Sequence, residues 1–409
     1  MHNYNSTRTL SSVCEVCTNK LQTVAELLLL SCCIKPVWTD AVKAIPPNLV
    51  RDQFSSSLKN ISFLAQTLVS NVHMISTKWN DICDTIKELS LVMVQFMELT
   101  SHAAYLISVN FSNCSEAENG LVDKYLVCYS GLEIKLSCTR LKRTRIDELS
   151  PQLIIDLCSN ISKHISVITD ICRDAGQDVN DESIADQFKL SVKSVTCAAG
   201  CLIASIKSYK SSPNFMHHNR VIVFCEPVLA SSQALVCFAT EKDFIGLEGV
   251  LTMQAKEIQK SILGACMNIV SSCIQLYKTI RGLTFDMMTS HHRERLRSCT
   301  ESIEHGAGRL LKILQGYDIN SLFRDYLQKC ADSQKWQENK TKCGSDLTTL
   351  SLDPDFKNDP NMSPSDQHSN HIVNDLTSNH GEVEIDHHSD EHSTSFSGSD
   401  NSCHSQASR

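Results

Sequence analysis

The chain has 409 residues, 42% apolar and 6% aromatic, with 20 cysteines and a formal net charge of −8. That is enough apolar material for two or three domains with real cores, which excludes a chain that is disordered throughout. Of the 46 acidic residues 14 lie beyond Cys330, but only 5 of the 38 basic ones do, so a nearly neutral body carries an acidic tail and any basic surface must be local.

The first residues, MHNYNSTRTLSS, contain no apolar run of the kind a signal peptide needs, and residues 27–30 are too few to span a bilayer. The expectation is a cytoplasmic protein without membrane insertion, its cysteines reduced core thiols rather than a disulfide framework. From Ser11 the spacing predicts a helix, because Cys14, Cys17, Leu21, Val24 and Leu28 recur every three or four residues. Ser11 or Ser12 can cap it, and it must end before Pro36. A second helix is expected over 48–76, with Phe54, Leu58, Ile61, Leu68 and Val72 on one stripe. The third has the clearest pattern: Ile82, Ile86, Leu89, Met93, Phe96, Thr100, Ala103 and Ile107 alternate steps of four and three, as in a bundle seam.

Residues 110–119 are short and polar and mark an exit from this pattern. Four further helices are expected at about 121–143, 150–174, 181–210 and 225–241. Pro151 and Pro227 are placed in first turns, where a proline lacks only an N–H that would be unpaired anyway. Ala175-Gly176 and Ser211-Ser212-Pro213-Asn214 are read as the stops. After Gly246 another seam begins at Leu251, Ala255, Ile258 and Ile262. A last helix follows Ser290, with Leu296, Cys299, Ile303, Ala307 and Leu310 inward, and a shorter segment reaches about Cys330. The fold class is therefore all-α, with nine long helices and no strand. Beyond about residue 331 the chain is rich in Ser, Asp, Asn and His, lacks apolar periodicity and is expected to be disordered.

Chemistry is sparse. There is no P-loop, no G-x-G-x-x-G and no G-x-S-x-G. Magnesium over a diphosphate would need paired aspartate clusters, and the single Asp81-x-x-Asp84 reads as a solvated helix edge. Cys14-x-x-Cys17, with Cys32 and Cys33 downstream, is the nearest approach to a zinc site, yet the first pair shares the apolar stripe of Leu21 and Val24 and so faces a core. The seven tail histidines are irregularly spaced, and His102 reads as a hydrogen-bonded histidine at a helix interface. The expectation is a protein with no enzymatic activity, no cofactor and no metal. Two basic runs remain: Arg140, Lys142, Arg143 and Arg145 at one helix end, and Lys189 and Lys193 one turn apart, with Lys207 and Lys210 further along. These are either solvated surface or a patch for an acidic partner; nucleic acid does not fit, because interleaved aromatics are lacking.

Six stretches, SSVCEVCTNKLQTVAELLLLSC, SHAAYLISV, GLVDKY, QFKLSVKS, ALVCFATE and HHRERLRS, occur in an order and spacing that resemble the talin rod domain-containing family, relatives of the seventh and eighth helical bundles of the talin rod. The resemblance spans about residues 11–316 and excludes the tail; the stretch 37–47 departs from it. It implies a five-helix bundle made of residues 11–118 and 246–316, interrupted by a four-helix bundle at 120–242, with the acidic tail at 331–409. It also implies a homodimer formed through the four-helix module that binds and bundles F-actin in the cytoplasmic actin cytoskeleton. An alternative is an adhesion or signalling scaffold that receives amphipathic helical motifs. On this resemblance Phe224, with Val221 and Leu229 beside it, is the candidate dimer contact, unless Phe224 is simply core. Lys189 and Lys193, in QFKLSVK, lead the actin candidates, with Arg140, Arg143 and Lys163 chosen on charge. Arg293, Arg295 and Arg297 match HHRERLRS and serve either binding or capping.

Overall fold

A computed structural model of the chain describes residues 2–30, 35–72, 79–283 and 290–332. The helices are α1 (His2–Ala25), which continues as a π-turn over Glu26–Leu30, the short α2 (Asp40–Lys43), α3 (Val50–Val72) and α4 (Trp79–Val109). Then come α5 (Lys124–Arg143), α6 (Pro151–Asp178), α7 (Glu182–Ser211), α8 (Phe215–Ala239), α9 (Met253–Leu283), α10 (Ser290–Gln315) and a last helix, α11, over residues 319–332. Among the described residues there is no strand. Among the described residues α2, held by its Thr39 cap, joins the nine long helices expected, and α11 is the shorter segment read as reaching about Cys330. The tail assigned to 331–409 lies outside the described residues apart from Ala331 and Asp332, which still belong to α11.

Where the observed bounds differ from the expected ones, packing explains the shift. α1 starts well before Ser11 because Leu10 heads the stripe of Cys14, Cys17 and Leu21 and is fully buried, so tertiary contact overrides indifferent local propensity. α6 runs through Gly176 to Asp178. There the glycine serves packing rather than termination, since a Cβ on Gly176 would sit 3.1 Å from Cβ of Phe188 on α7. α8 starts at Phe215, where the Asn214 side chain accepts from the His217 N–H at 2.9 Å. Pro227 therefore lies inside the helix rather than in its first turn. It is exposed, so the carbonyl it leaves without a partner faces solvent. Ser11 and Ser12, read as caps from the sequence, lie inside α1; the caps found are Ser150, which accepts from Leu153 N at 3.2 Å ahead of Pro151, and Asp181, which accepts from Ser183 N at 2.9 Å.

The buried residues form two cores inside one compact unit. The first joins α1, α3, α4, α9 and α10, and Ile319 and Phe323 of α11 close one end of it. The second joins α5, α6, α7 and α8 with Phe244. The chain leaves the first core after α4 and returns to it at α9, so the four-helix bundle is an insert. At the crossing the two connectors run side by side, with Ser115 N donating to Val250 O at 2.9 Å, Glu118 N to Leu247 O at 3.0 Å and Val122 N to Phe244 O at 3.0 Å. Gly120 and Gly246 stack there so closely that a Cβ on Gly120 would lie 2.2 Å from the Gly246 nitrogen, and Gly246 has φ +69°. Lys35 Nζ donates to the Gly246 carbonyl at 3.1 Å from the side.

Cys14 and Cys17 are buried core thiols, and burial raises the pKa of both. Cys32 and Cys33 lie outside the described residues. His102 is fully buried and boxed by the rings of Trp38 and Phe323, each at 4.9 Å, and Tyr326 at 5.1 Å. Burial pushes its pKa down to about 3, so it is a neutral packing residue.

Candidate functional site

The outer face of α7 and α8 stands apart from the rest of the surface. On α7 the exposed residues Leu190, Ser194, Cys197, Cys201, Ala204 and Ser208 follow one another in steps of four and three, the spacing of a helix seam. On α8 the exposed residues Met216, Arg220, Val223, Pro227, Ala230, Ala234 and Cys237 do the same. Leu190 is 66% exposed, Met216 62% and Val223 55%. α7 and α8 are also the two described helices long and apolar enough to cross a membrane, yet only 28% of that apolar stretch is buried in each. A helix apolar on its outer as well as its inner face has a second surface to cover.

The two stripes are level with each other. α7 and α8 run antiparallel, with the Phe188 and Phe238 rings 4.7 Å apart near one end and Tyr209 and His218 5.9 Å apart near the other. This register puts Ala199, midway along the α7 stripe, beside Pro227, midway along the α8 stripe.

Where α1 of the outer bundle meets α5 of the insert, charged pairs form a ladder. Lys20 Nζ lies 2.5 Å from Glu133 Oε1, Arg143 Nη1 2.9 Å from Glu15 Oε1 and Arg8 Nη1 3.5 Å from Glu148 Oε1. Burial would raise the Glu133 pKa, but the Lys20 charge, with hydrogen bonds from Lys20 and Asn160, outweighs it and holds the carboxyl below its usual range. Deeper in, Glu98 accepts from the Tyr125 hydroxyl at 2.9 Å and from Thr39 Oγ1 at 3.1 Å, and burial raises its pKa.

Residues 51–242, from α3 through the end of the insert, match the Talin IBS2B domain. Over these residues the chain is similar to the talin rod. It is 23% identical over 190 residues to Talin-2 of Homo sapiens, an alignment covering 46% of this chain and 7% of that protein. It is 21% identical over 281 residues to Talin-1 of Gallus gallus (68% and 10%) and 20% identical over 289 residues to Talin of Oscarella pearsei (68% and 11%). The chain thus spans only a small fraction of the length of these relatives.

On this talin rod-like frame the candidate residues separate. Lys189 and Lys193 are exposed and make no ion pair among the described residues. With Lys207 they each precede a residue of the α7 seam by one, about 100° round the helix from it. The basic stripe and the apolar one are therefore neighbouring but distinct faces. Lys163 is exposed on α6. The Arg140–Arg145 run is tied up in ion pairs, with Arg140 and Lys142 half-buried and Arg143 and Arg145 exposed. Arg143 pairs with Glu15, Lys142 with Glu226 and Arg145 with Asp147, while burial lowers the Arg140 pKa. Of these pairs only Arg143–Glu15 crosses to the outer bundle, while Arg143 and Arg145 stay exposed at the surface.

Val221 is 2% exposed and packs in the insert's core, so it has no surface for a second chain. Phe224 and Leu229 are half-buried against that core. Phe224 shares a helix face with Phe238 and so leans towards α7, whereas Leu229 shares one with Val236, which approaches Gly131 of α5. Of the α10 arginines, Arg297 pairs with Glu301 at 3.4 Å and Arg295 reaches Gln275. Sequence reasoning missed the small-residue seam of α7 because Ser, Cys and Ala carry little apolar signal, although its steps of four and three are legible once the buried face is assigned.

Proposed function

We propose that the chain is a non-enzymatic actin-filament-binding and bundling protein that works as a homodimer joined through the α7–α8 face. The observation that carries this is the pair of exposed stripes centred at one level. A two-fold axis lying in that face and crossing the helices at Ala199 and Pro227 lays α7 antiparallel on its copy and α8 on its copy. Under this operation each stripe meets itself reversed, as an isologous interface requires. A lipid surface would ask for a cationic rim around both helices, which α8 lacks.

The talin rod-like fold makes a cytoskeletal helical bundle the natural class, and the resemblance to the talin rod implies the acidic actin filament as the partner of Lys189 and Lys193. One binding body decorates a filament, whereas two bodies held by a two-fold can cross-link. The same apolar face also suits an amphipathic helix of an adhesion or signalling protein, which would make the chain a scaffold instead.

Filament pelleting separates these readings. The full chain should sediment with filaments at high speed and pull them down at low speed. Lys189→Glu with Lys193→Glu should weaken binding, most visibly at low salt where screening is least. Binding without low-speed pelleting would remove bundling, and unchanged binding by the double variant at low ionic strength would move the site elsewhere.

A further inference from the structure

Of the described cysteines, three are exposed: Cys197, Cys201 and Cys237. Cys197 and Cys201 lie one turn apart on the α7 seam, on either side of its midpoint at Ala199. In an antiparallel pairing about that midpoint, the residue facing Cys197 is the partner's Cys201, and the one facing Cys201 is the partner's Cys197. The next positions outward match Ser194 with the partner's Ala204. These small side chains permit the close helix approach that a disulfide demands, with Cα atoms about 4.4–6.8 Å apart. On α8 the matching operation sets Cys237 opposite the partner's Met216, so that thiol meets no second sulfur.

We infer that α7 carries a thiol-oxidation site in which Cys197 of one protomer and the partner's Cys201 close an intersubunit disulfide on each side of the two-fold. This rests on self-association through the α7–α8 face. The rest of the thiol inventory favours selectivity. Cys172 and Cys266 are buried and their thiols are pushed up to about 12, while Cys138 and Cys225 are buried against each other. Burial shields all four from oxidants, and at Cys172 and Cys266 it also leaves little thiolate.

With a hydroperoxide as oxidant the step balances. One thiolate attacks a peroxide oxygen, an S–O bond forms as the O–O bond breaks, and the departing oxygen takes a proton and leaves as water or alcohol. The facing thiol then attacks that sulfenic sulfur, S–S forms as S–O breaks, and the second oxygen leaves as water with the thiol proton. The two sulfurs lose two electrons and the peroxide gains them. The consequence is a dimer that a peroxide pulse makes indifferent to dilution and a reductant releases.

The test uses the full chain at a fixed concentration with hydrogen peroxide. Sedimentation velocity in dithiothreitol first reports whether the reduced chain is dimeric, which tests the self-association reading by itself. After peroxide, non-reducing electrophoresis should show a dimer band that dithiothreitol abolishes, and peptide mapping should find Cys197 joined to Cys201. Cys197→Ser with Cys201→Ser should lose the band while remaining dimeric in reductant, and Cys237→Ser should keep it. A reduced dimer that does not cross-link, that cross-links through Cys237, or that forms only an intrachain Cys197–Cys201 bridge overturns the inference and leaves the dimer standing. A reduced monomer overturns both. Release of stoichiometric zinc from the reduced dimer by a thiol-blocking reagent would make the four thiols metal ligands and overturn the disulfide.

Discussion

α4 and α8 are both long and apolar, and they place that apolarity in opposite ways. Every residue of α4 from 96 to 108 is buried, enclosed by neighbouring helices, the Trp38 connector and α11. α8 buries one line, from His218 through Val221, Cys225 and Val228 to Ala239, and leaves Met216, Val223 and Ala230 in solvent. An enclosed helix is scaffold, and the chain itself supplies its partners. A helix with a second apolar face left open defines a surface whose partner comes from outside.

The sharpest way to break this contrast is to truncate one residue of each kind. Phe96→Ala, deep in the outer core, should cost about 3–5 kcal/mol in urea unfolding, whereas Val223→Ala should stay within about 0.5 kcal/mol in a dilute, dissociated sample. Comparable losses would mean that α8 is as enclosed as α4.

The ladder between the bundles gives the next largest effect. Lys20→Met leaves Glu133 buried without its cation and should cost about 3 kcal/mol, and adding Glu133→Leu should restore most of it. No recovery in the double variant would mean that Lys20 acts through its packing on Tyr129, over whose ring it sits at 5.6 Å, rather than through charge.

A smaller effect distinguishes the enclosed core by pH. The pKa of His102 is lowered from 6.5 to about 3, so between those values the unfolded chain binds a proton that the folded chain refuses. Stability therefore rises with pH across that window and falls as pH drops, by about 1.5 kcal/mol from pH 6.5 to 5. His102→Phe should flatten much of that slope. His164 keeps a residue of it, because burial lowers its pKa as well, against the pull of Glu133. An unchanged slope would show that His102 is not sealed beneath Trp38, Phe323 and Tyr326.

Much of the fold was legible because α3, α4, α9 and α10 carry unbroken apolar seams, and a seam read from Ile82 to Ile107 or from Leu251 to Ile280 names its own buried face. The ends were less legible. Leu10 lengthens α1 through a tertiary contact that no local rule contains. Gly176 and Pro227 imitate a stop and a start because their usual local meaning is overridden by the close approach to Phe188 and by exposure on the outer side of α8. The surface was the least legible part. Arg140 and Arg143 looked like a free basic patch, yet their acidic and thiol neighbours Glu15, Cys17 and Cys83 lie far away in sequence and only folding brings them together. Lys189 and Lys193 keep their charge for solvent, since neither makes an ion pair among the described residues. Val221 and Phe224 were close in sequence to the open face, but the helical turn carries Val221 to its opposite side.

The claim on which the rest depends is that the open face of α7 and α8 is covered by a second copy of the chain. Light scattering of the full-length protein in reductant, alongside Val223→Asp, tests it most directly. Val223 is exposed in the protomer, so the charge disturbs the proposed interface and leaves the core intact. The prediction is twice the chain mass for the native sequence and the single chain mass for the variant, with the same helical content by circular dichroism. A native chain that runs as a monomer at micromolar concentration, or a Val223→Asp variant that remains a dimer, would contradict it.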